Sequence, residues 1–402
     1  MYNNKIAQHI FMPLALAGAI AAVSTPALAE IVLYDKDDTT FSTDGYVNAF
    51  YVNSKVDRAG DQFDRRQTRI KMGFLPNYIG FNMGKQIDGL KLGARSSFWV
   101  TINDSDDNGT GTDIDVRQFY GTAAGEWGEV LIGKDFGLFA RSNILLDELL
   151  AGYGQVSDTL GLVDGGGVSF GNIGSGYPYP FPTSQITYRS PVMSGARIAV
   201  GVMDPVDTTR ATQVDANGDT IDLGKAYQKS PRFESEVTYQ FDLGGAEIYS
   251  WLNGAYQTSD NTDSTVKSVT SKGLGYGVRA TMGAFTLSGS GFSAKGINPF
   301  FTNNAGNATL RDIDSKGYLA QGSYRFGKNR VALSYGKTKD DGNGAVATGA
   351  DYETRGVALF HDINDNLKLV AEYNQFEIDG HKGNTLNNED TKTFAVGAVL
   401  TW

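Results

Sequence analysis

Arg65, Gln67, Arg69 and Lys71 alternate along the chain with Arg66, Thr68, Ile70 and Met72, so an extended segment there places three bases on one face. Asp147, Glu148, Asp158 and Asp164 lie within a long stretch, 140–182, that carries neither helical nor strand periodicity. Facing rows of fixed positive and negative charge across water sort ions and polar solutes; they do not transform them. Such a field acts over about 8 Å at physiological salt, so the two rows must meet in a narrow place for the chemistry to work.

Bond-making chemistry has little support. Once the N-terminal leader described below is removed, His361 and His381 are the remaining imidazoles, one at a strand end and one in a polar loop, and neither sits in a nucleophile setting. No phosphate-binding glycine loop occurs, so no enzyme activity and no cofactor is expected. Asp104, Asp106, Asn108, Gly109 and Asp115 do fall at positions 1, 3, 5, 6 and 12 of a calcium-loop template. Without flanking helices to preorganise it, this run reads more simply as an acidic solvated loop, with calcium as the alternative.

Lys5, the apolar run IFMPLALAGAIAAV and Ala27-Leu28-Ala29 form a secretory leader over 1–29, too short to span a bilayer, so the mature chain is expected to begin at Glu30. The full chain carries a net charge of −10, and losing Lys5 makes the mature chain more acidic still. That excludes nucleic acid as a natural partner and predicts, taken alone, a weak preference for cations. There is no cysteine to staple an exported domain. Fifty glycines, 20 tyrosines and 22 phenylalanines against ten prolines suit many short strands joined by turns. A soluble β-protein and a transmembrane barrel both meet these bounds.

Connection length separates them. Sixteen alternating segments can be placed, from 44–54 to 391–402, and phase puts Arg117 and Arg189 on polar faces although Gln118 and Phe119 break the alternation of their segment. Short turns near Pro76, Gly125, Ser194, Gly244, Gly283, Lys328 and Asn364 interleave with long polar loops. A sandwich has no reason to segregate loop length by parity, whereas an outer-membrane barrel has short turns on one side and long loops on the other. Stretch 140–182 opens with ARSNILLDELL, able to form a helical turn or two, and ends GYPYPFP. A loop so long needs somewhere to pack, and a wide barrel lumen supplies it. The last segment aligns Phe394, Val396, Ala398, Leu400 and Trp402 on one face and stops on an aromatic. The expected fold is all-β: a 16-stranded antiparallel transmembrane barrel over 30–402 with 140–182 as an inward constriction loop.

VLYDKDDTTFSTDGYVNAFY, TRIKMGF, DVRQFYGTAAGEWGEVLIGKDFG, SQITYRSP and the terminal FAVGAVLTW together give the chain a likeness over nearly its whole mature length: it resembles the general diffusion porins of Gram-negative outer membranes. The resemblance implies a homotrimer, inserted by the barrel assembly machinery among outer-membrane lipid and lipopolysaccharide, that passes small hydrophilic solutes. It implies that Arg69, Arg117 and Arg189, with Arg65 and Lys71 on the same wall, face the loop acids. It also implies that Phe394, Leu400 and Trp402 carry the assembly signal, with Trp402 where the family usually ends in Phe. The aromatic run leaves a saccharide or organic-acid channel open, with Tyr177, Tyr179 and Phe181 as solute contacts. A surface receptor or adhesin with a plugged lumen is the third reading.

Overall fold

In the computed structural model the residues described are 30–59, 64–104, 114–205, 210–214, 220–304, 311, 313–342, 348–381 and 388–402. The leader 1–29 lies outside them. Among the described residues there are twenty strand segments: β1 (Ile31–Lys36), β2 (Thr39–Arg58), β3 (Arg65–Lys71), β4 (Asn77–Ile87), β5 (Leu90–Val100), β6 (Asp115–Gly125), β7 (Gly128–Asp135), β8 (Thr183–Arg189), β9 (Ala196–Met203), β10 (Arg210–Val214), β11 (Thr220–Tyr227), β12 (Arg232–Leu243), β13 (Ala246–Asn261), β14 (Val269–Met282), β15 (Phe285–Lys295), β16 (Asp314–Phe326), β17 (Asn329–Gly342), β18 (Thr348–Asp362), β19 (Leu367–Gly380) and β20 (Glu389–Thr401).

Each pairs antiparallel with its neighbours, and β20 pairs back onto β2 from Tyr46 with Thr401 to Arg58 with Glu389, so the sheet closes into a ring of sixteen staves. β3 and β4 count as one stave, because both pair with β2. β1 pairs with β2 only where β20 has run out, and β10 with β11 forms a hairpin within a long connection. Closure leaves no stave with a free edge in lipid, which is why strands alone can cross a bilayer. Among the described residues no helix is long and apolar enough to cross a membrane.

The sixteen alternating segments correspond to these staves, which run longer at several ends, and one turn is moved. Pro76 does not turn the chain: the second stave breaks at 72–76, resumes as β4, and turns instead at Asp88-Gly89, where both residues have positive φ. Side chains bridge the break. The Asn48 amide nitrogen donates to the Leu75 carbonyl, its oxygen accepts from Gly73 N–H, and Asn103 accepts from Met72 N–H, so backbone groups freed from the ladder stay paired.

Alternation sends Ile70, Ile132, Ile186, Leu252, Leu287, Leu333 and Phe394 outward, where all are exposed. The inner face is not uniformly polar, however. Tyr46, Phe50, Val52 and Val56 of β2 point inward and are buried, as are Phe360, Val370 and Val399 on β18 to β20. Their cover is residues 136–182, the connection between β7 and β8, which fold into the lumen. This loop holds one short helix, α1 (Arg141–Leu145), entered through Ala140 at positive φ.

Candidate functional site

Apolar burial seats the inner loop. Leu149, Tyr153, Val156, Leu162 and Val163 pack against the apolar inner face of β2, Tyr78, Trp99 and the inward residues of β17 to β20. At about 1.5–3 kcal/mol per fully buried large side chain, five such residues contribute on the order of 10 kcal/mol. Hydrogen bonds then fix its path. Glu234 Oε2 accepts from the Leu138 and Phe139 N–H groups at 2.6 and 2.9 Å. Glu372 accepts from Tyr153 and Gly154 at 2.8 and 2.9 Å, and Glu389 from Asp158 and Thr159 at 2.7 and 2.8 Å. A carboxylate accepting two backbone N–H groups makes charge-assisted bonds, roughly twice as strong as neutral ones.

The four loop acids have separate environments. Asp158 pairs with Arg58 at 2.9 Å and Arg65 at 2.6 Å, and Asp164 pairs with Arg65 and, at 3.4 Å, with Arg69. Burial pushes the Asp158 carboxyl up, but hydrogen bonds and charge from Arg65 and Arg58 outweigh it and hold the group below its ordinary value. Asp147 meets no base: Tyr177 Oη donates to it at 2.6 Å, Asn172 at 2.8 Å and Gln321 at 2.7 Å. Burial wins there and raises its pKa against those hydrogen bonds. Glu148 sits between Arg279 at 2.8 Å and Arg330 at 2.7 Å and accepts from Ser323 at 2.9 Å.

The five wall bases named from the sequence divide in the same way. Arg65 and Arg69 meet the loop acids directly. Lys71 is fully buried and donates Nζ to the Leu162 and Gly165 carbonyls at 2.6 and 3.0 Å, holding the glycine turn that carries Asp164. Arg117 pairs with Asp115 at 2.7 Å, donates to Tyr179 Oη at 3.0 Å and lies over the Trp99 ring at 4.9 Å. Arg117 is the extra residue of a β-bulge between Ser97/Gln118 and Phe98/Val116, which explains the broken alternation at Gln118 and Phe119. Arg189 closes β8 beside a short turn and pairs with Glu129 at 2.9 Å and Asp135 at 3.6 Å, not with a loop acid. The expectation that Arg69, Arg117 and Arg189 all face the loop acids is corrected accordingly: of the three, Arg69 alone pairs with one.

Tyr177 is 0% exposed, so it offers no surface to a solute, and Tyr179 at 7% offers little. Their rings, with Ile173, Phe300 and the half-buried Phe181, form a core between the loop and the β15–β16 connection. The proline-aromatic run is therefore largely internal packing of the loop. Of the calcium template, Asp106, Asn108 and Gly109 lie outside the described residues; Asp115 is committed to Arg117, and the Asp104 carbonyl accepts from Arg69. No group of three potential metal ligands occurs among the described residues.

Residue-by-residue reading passed over Glu234, Glu372, Glu389, Arg279 and Arg330. All five lie on inward-phase positions, but phase alone does not mark which inward residues the loop will reach.

A wide, closed antiparallel barrel with outward apolar staves and a loop packed across its polar lumen defines an outer-membrane channel. The chain matches the model of the Gram-negative porin family over residues 15–381, and it belongs to that family. It is accordingly an outer-membrane porin, a channel for passive diffusion. Similar solved structures include the anion-selective porin of Comamonas acidovorans (16% identity, 90% of this chain and 100% of that one, TM-score 0.63). Others are the outer membrane channel DcaP of Acinetobacter baumannii (13%, 92% and 99%, 0.65) and the trimer form of Vibrio cholerae OmpT (14%, 91% and 100%, 0.55). These identities speak for the fold. A sequence search against curated proteins finds no match.

Proposed function

We propose that solutes cross between the inner loop and the wall it leaves uncovered, that Arg65, Arg69, Asp158 and Asp164 border this constriction, and that anions pass more readily than cations. The observation that carries the reading is the seating of loop 136–182 across the lumen, with three wall carboxylates spent on its backbone N–H groups. Glu234, Glu372 and Glu389 are at most 5% exposed, so they contribute little field to the water path. Arg279, Arg325 and Lys368 keep 17, 51 and 20% of their side chains exposed. Net charge argues the other way, but acids outside the lumen are screened beyond about 8 Å. The neighbour described as anion-selective agrees with this reading. Reversal potentials in a KCl gradient test it: an anion-selective sign is expected, and a cation-selective one overturns it.

Liposome swelling with graded sugars tests the diffusion route. Rates falling smoothly with solute size support it, saturation by one sugar favours a saccharide channel, and no swelling favours a plugged receptor barrel. Family likeness and the OmpT trimer form support a homotrimer, inserted by the barrel assembly machinery among outer-membrane lipid and lipopolysaccharide. Cleavage before Glu30 is part of the same reading, as is the absence of any enzyme activity. Mass of the purified protein and oligomer migration before and after heating check the leader and the trimer.

A further inference from the structure

Four cations gather on the inner wall near the short-turn ends of β14 to β19. Arg279 and Arg330 share the loop carboxylate Glu148, at 2.8 and 2.7 Å, and Arg330 also donates to the Glu148 carbonyl at 3.1 Å. Arg325 and Lys368 share Asp362, at 2.9 and 3.5 Å. The two groups meet at Phe360, whose ring centre lies 4.1 Å from the Arg330 guanidinium carbon and 5.9 Å from Lys368 Nζ. Four bases against two acids leave two positive charges uncompensated within this group. Arg279 Nε is buried and has no hydrogen-bond partner among the described residues.

We propose that this cluster is a binding site for small dicarboxylates on their way through the channel. The loop itself shows which chemistry fits. Glu148 lies between two guanidiniums, one nitrogen of each against one of its two oxygens, and accepts from the Ser323 hydroxyl, so the cluster already holds one carboxylate by paired guanidinium charge. One end of a dicarboxylate takes the remaining donors of Arg279 and Arg330, and the other takes Arg325 and Lys368. Both excess charges are then neutralised by one solute. A monocarboxylate neutralises one, and a neutral sugar none. Because Glu148 occupies part of the same donor set, it competes with the solute, so that binding stays weak enough for release, as conduction requires.

This assignment rests on the open-channel reading, and KCl current through the mature protein in planar bilayers keeps the two distinguishable. Succinate added to both sides is expected to reduce the current saturably, with a half-effect concentration about tenfold below that of acetate. Arg279→Gln and Lys368→Gln should each raise that concentration about fivefold, whereas Glu148→Gln, by freeing two guanidiniums, should lower it about as much. A misfolded barrel cannot produce the last result. A succinate effect that is linear, or equal to that of acetate, overturns the site while leaving the channel reading standing. Weaker succinate binding in Glu148→Gln also overturns it. Absence of any KCl current overturns both readings.

Discussion

Glu372 accepts the backbone N–H groups of Tyr153 and Gly154 from a position that is 2% exposed, and an amide there would turn donors or a single oxygen toward two donors. Glu372→Gln is therefore expected to leave a backbone N–H unpaired, at a cost of about 1–3 kcal/mol, and to loosen this end of the loop. Single-channel recordings check it: current noise and mean conductance should both rise, and unchanged traces would show that the loop does not depend on this carboxylate. Asp158 and Asp147 respond to pH with opposite signs. Asp158 has its folded pKa below its unfolded one, so its contribution to docking is full above about pH 4 and is lost as pH falls through the folded value. Asp147 has its folded pKa raised, so its contribution is full below about pH 4 and is lost as pH rises through the folded value. Acidification should thus release residues near 158 while holding residues near 147. Amide exchange at successive pH values reads this directly, and Asp158→Asn should abolish the loss at residues 158–164.

At the scale of elements, the inner loop and the staves it covers are one unit. Leu149 is 1% exposed and is buried against the wall cluster, so Leu149→Ala is expected to cost about 2–5 kcal/mol of loop docking. The barrel ladder does not include Leu149, so this variant should keep its strand circular dichroism and heat resistance while passing larger sugars in swelling assays. Loss of the barrel itself would mean that loop and wall fold as one cooperative core. The stave pattern was legible because lipid outside and water inside impose a period of two on nearly every segment. The exceptions have tertiary causes. β2 alternates as expected, but Tyr46, Phe50, Val52 and Val56 among its inward positions are apolar because the loop, not water, covers them. Pro76, a residue type that favours turns, reads in the sequence as the end of the second stave, while Asn48 and Asn103 repair the break from elsewhere in the chain.

The whole molecule depends on its seam. Trp402 exchanges backbone hydrogen bonds with Gly45, at 2.8 and 3.2 Å, and its ring lies so close that a Cβ on Gly45 would stand 2.1 Å from it. Only glycine admits that approach, and β1 begins pairing with β2 two residues beyond, where the last stave has ended. Trp402→Asp is expected to cut folded outer-membrane yield sharply while the channels that do assemble conduct normally; equal yields would show that the terminal ring has no part in closing the barrel. Charge selection is also a property of the whole. Because Arg117 and Arg189 are tied to other partners, Arg65→Gln with Arg69→Gln is the sharper test of the field at the loop than a triple change including them. The double variant should shift reversal potential toward cations in dilute salt, and the shift should shrink at 1 M, where screening falls to about 3 Å.

The barrel, the number of staves, the alternation of outward and inward side chains and the one connection too long to lie idle are all legible in the amino-acid order. These follow from local periodicity and turn chemistry, which each segment carries alone. Where the charges meet is a matter of how the folded chain packs. Whether Glu148 finds Arg279 and Arg330, or Lys71 finds two carbonyls of a glycine turn, depends on how a 47-residue connection crosses the lumen. That path is set by apolar contacts and by hydrogen bonds from loop backbone N–H groups to wall carboxylates up to some 230 positions away, such as Asp158 to Glu389, and no local pattern records them.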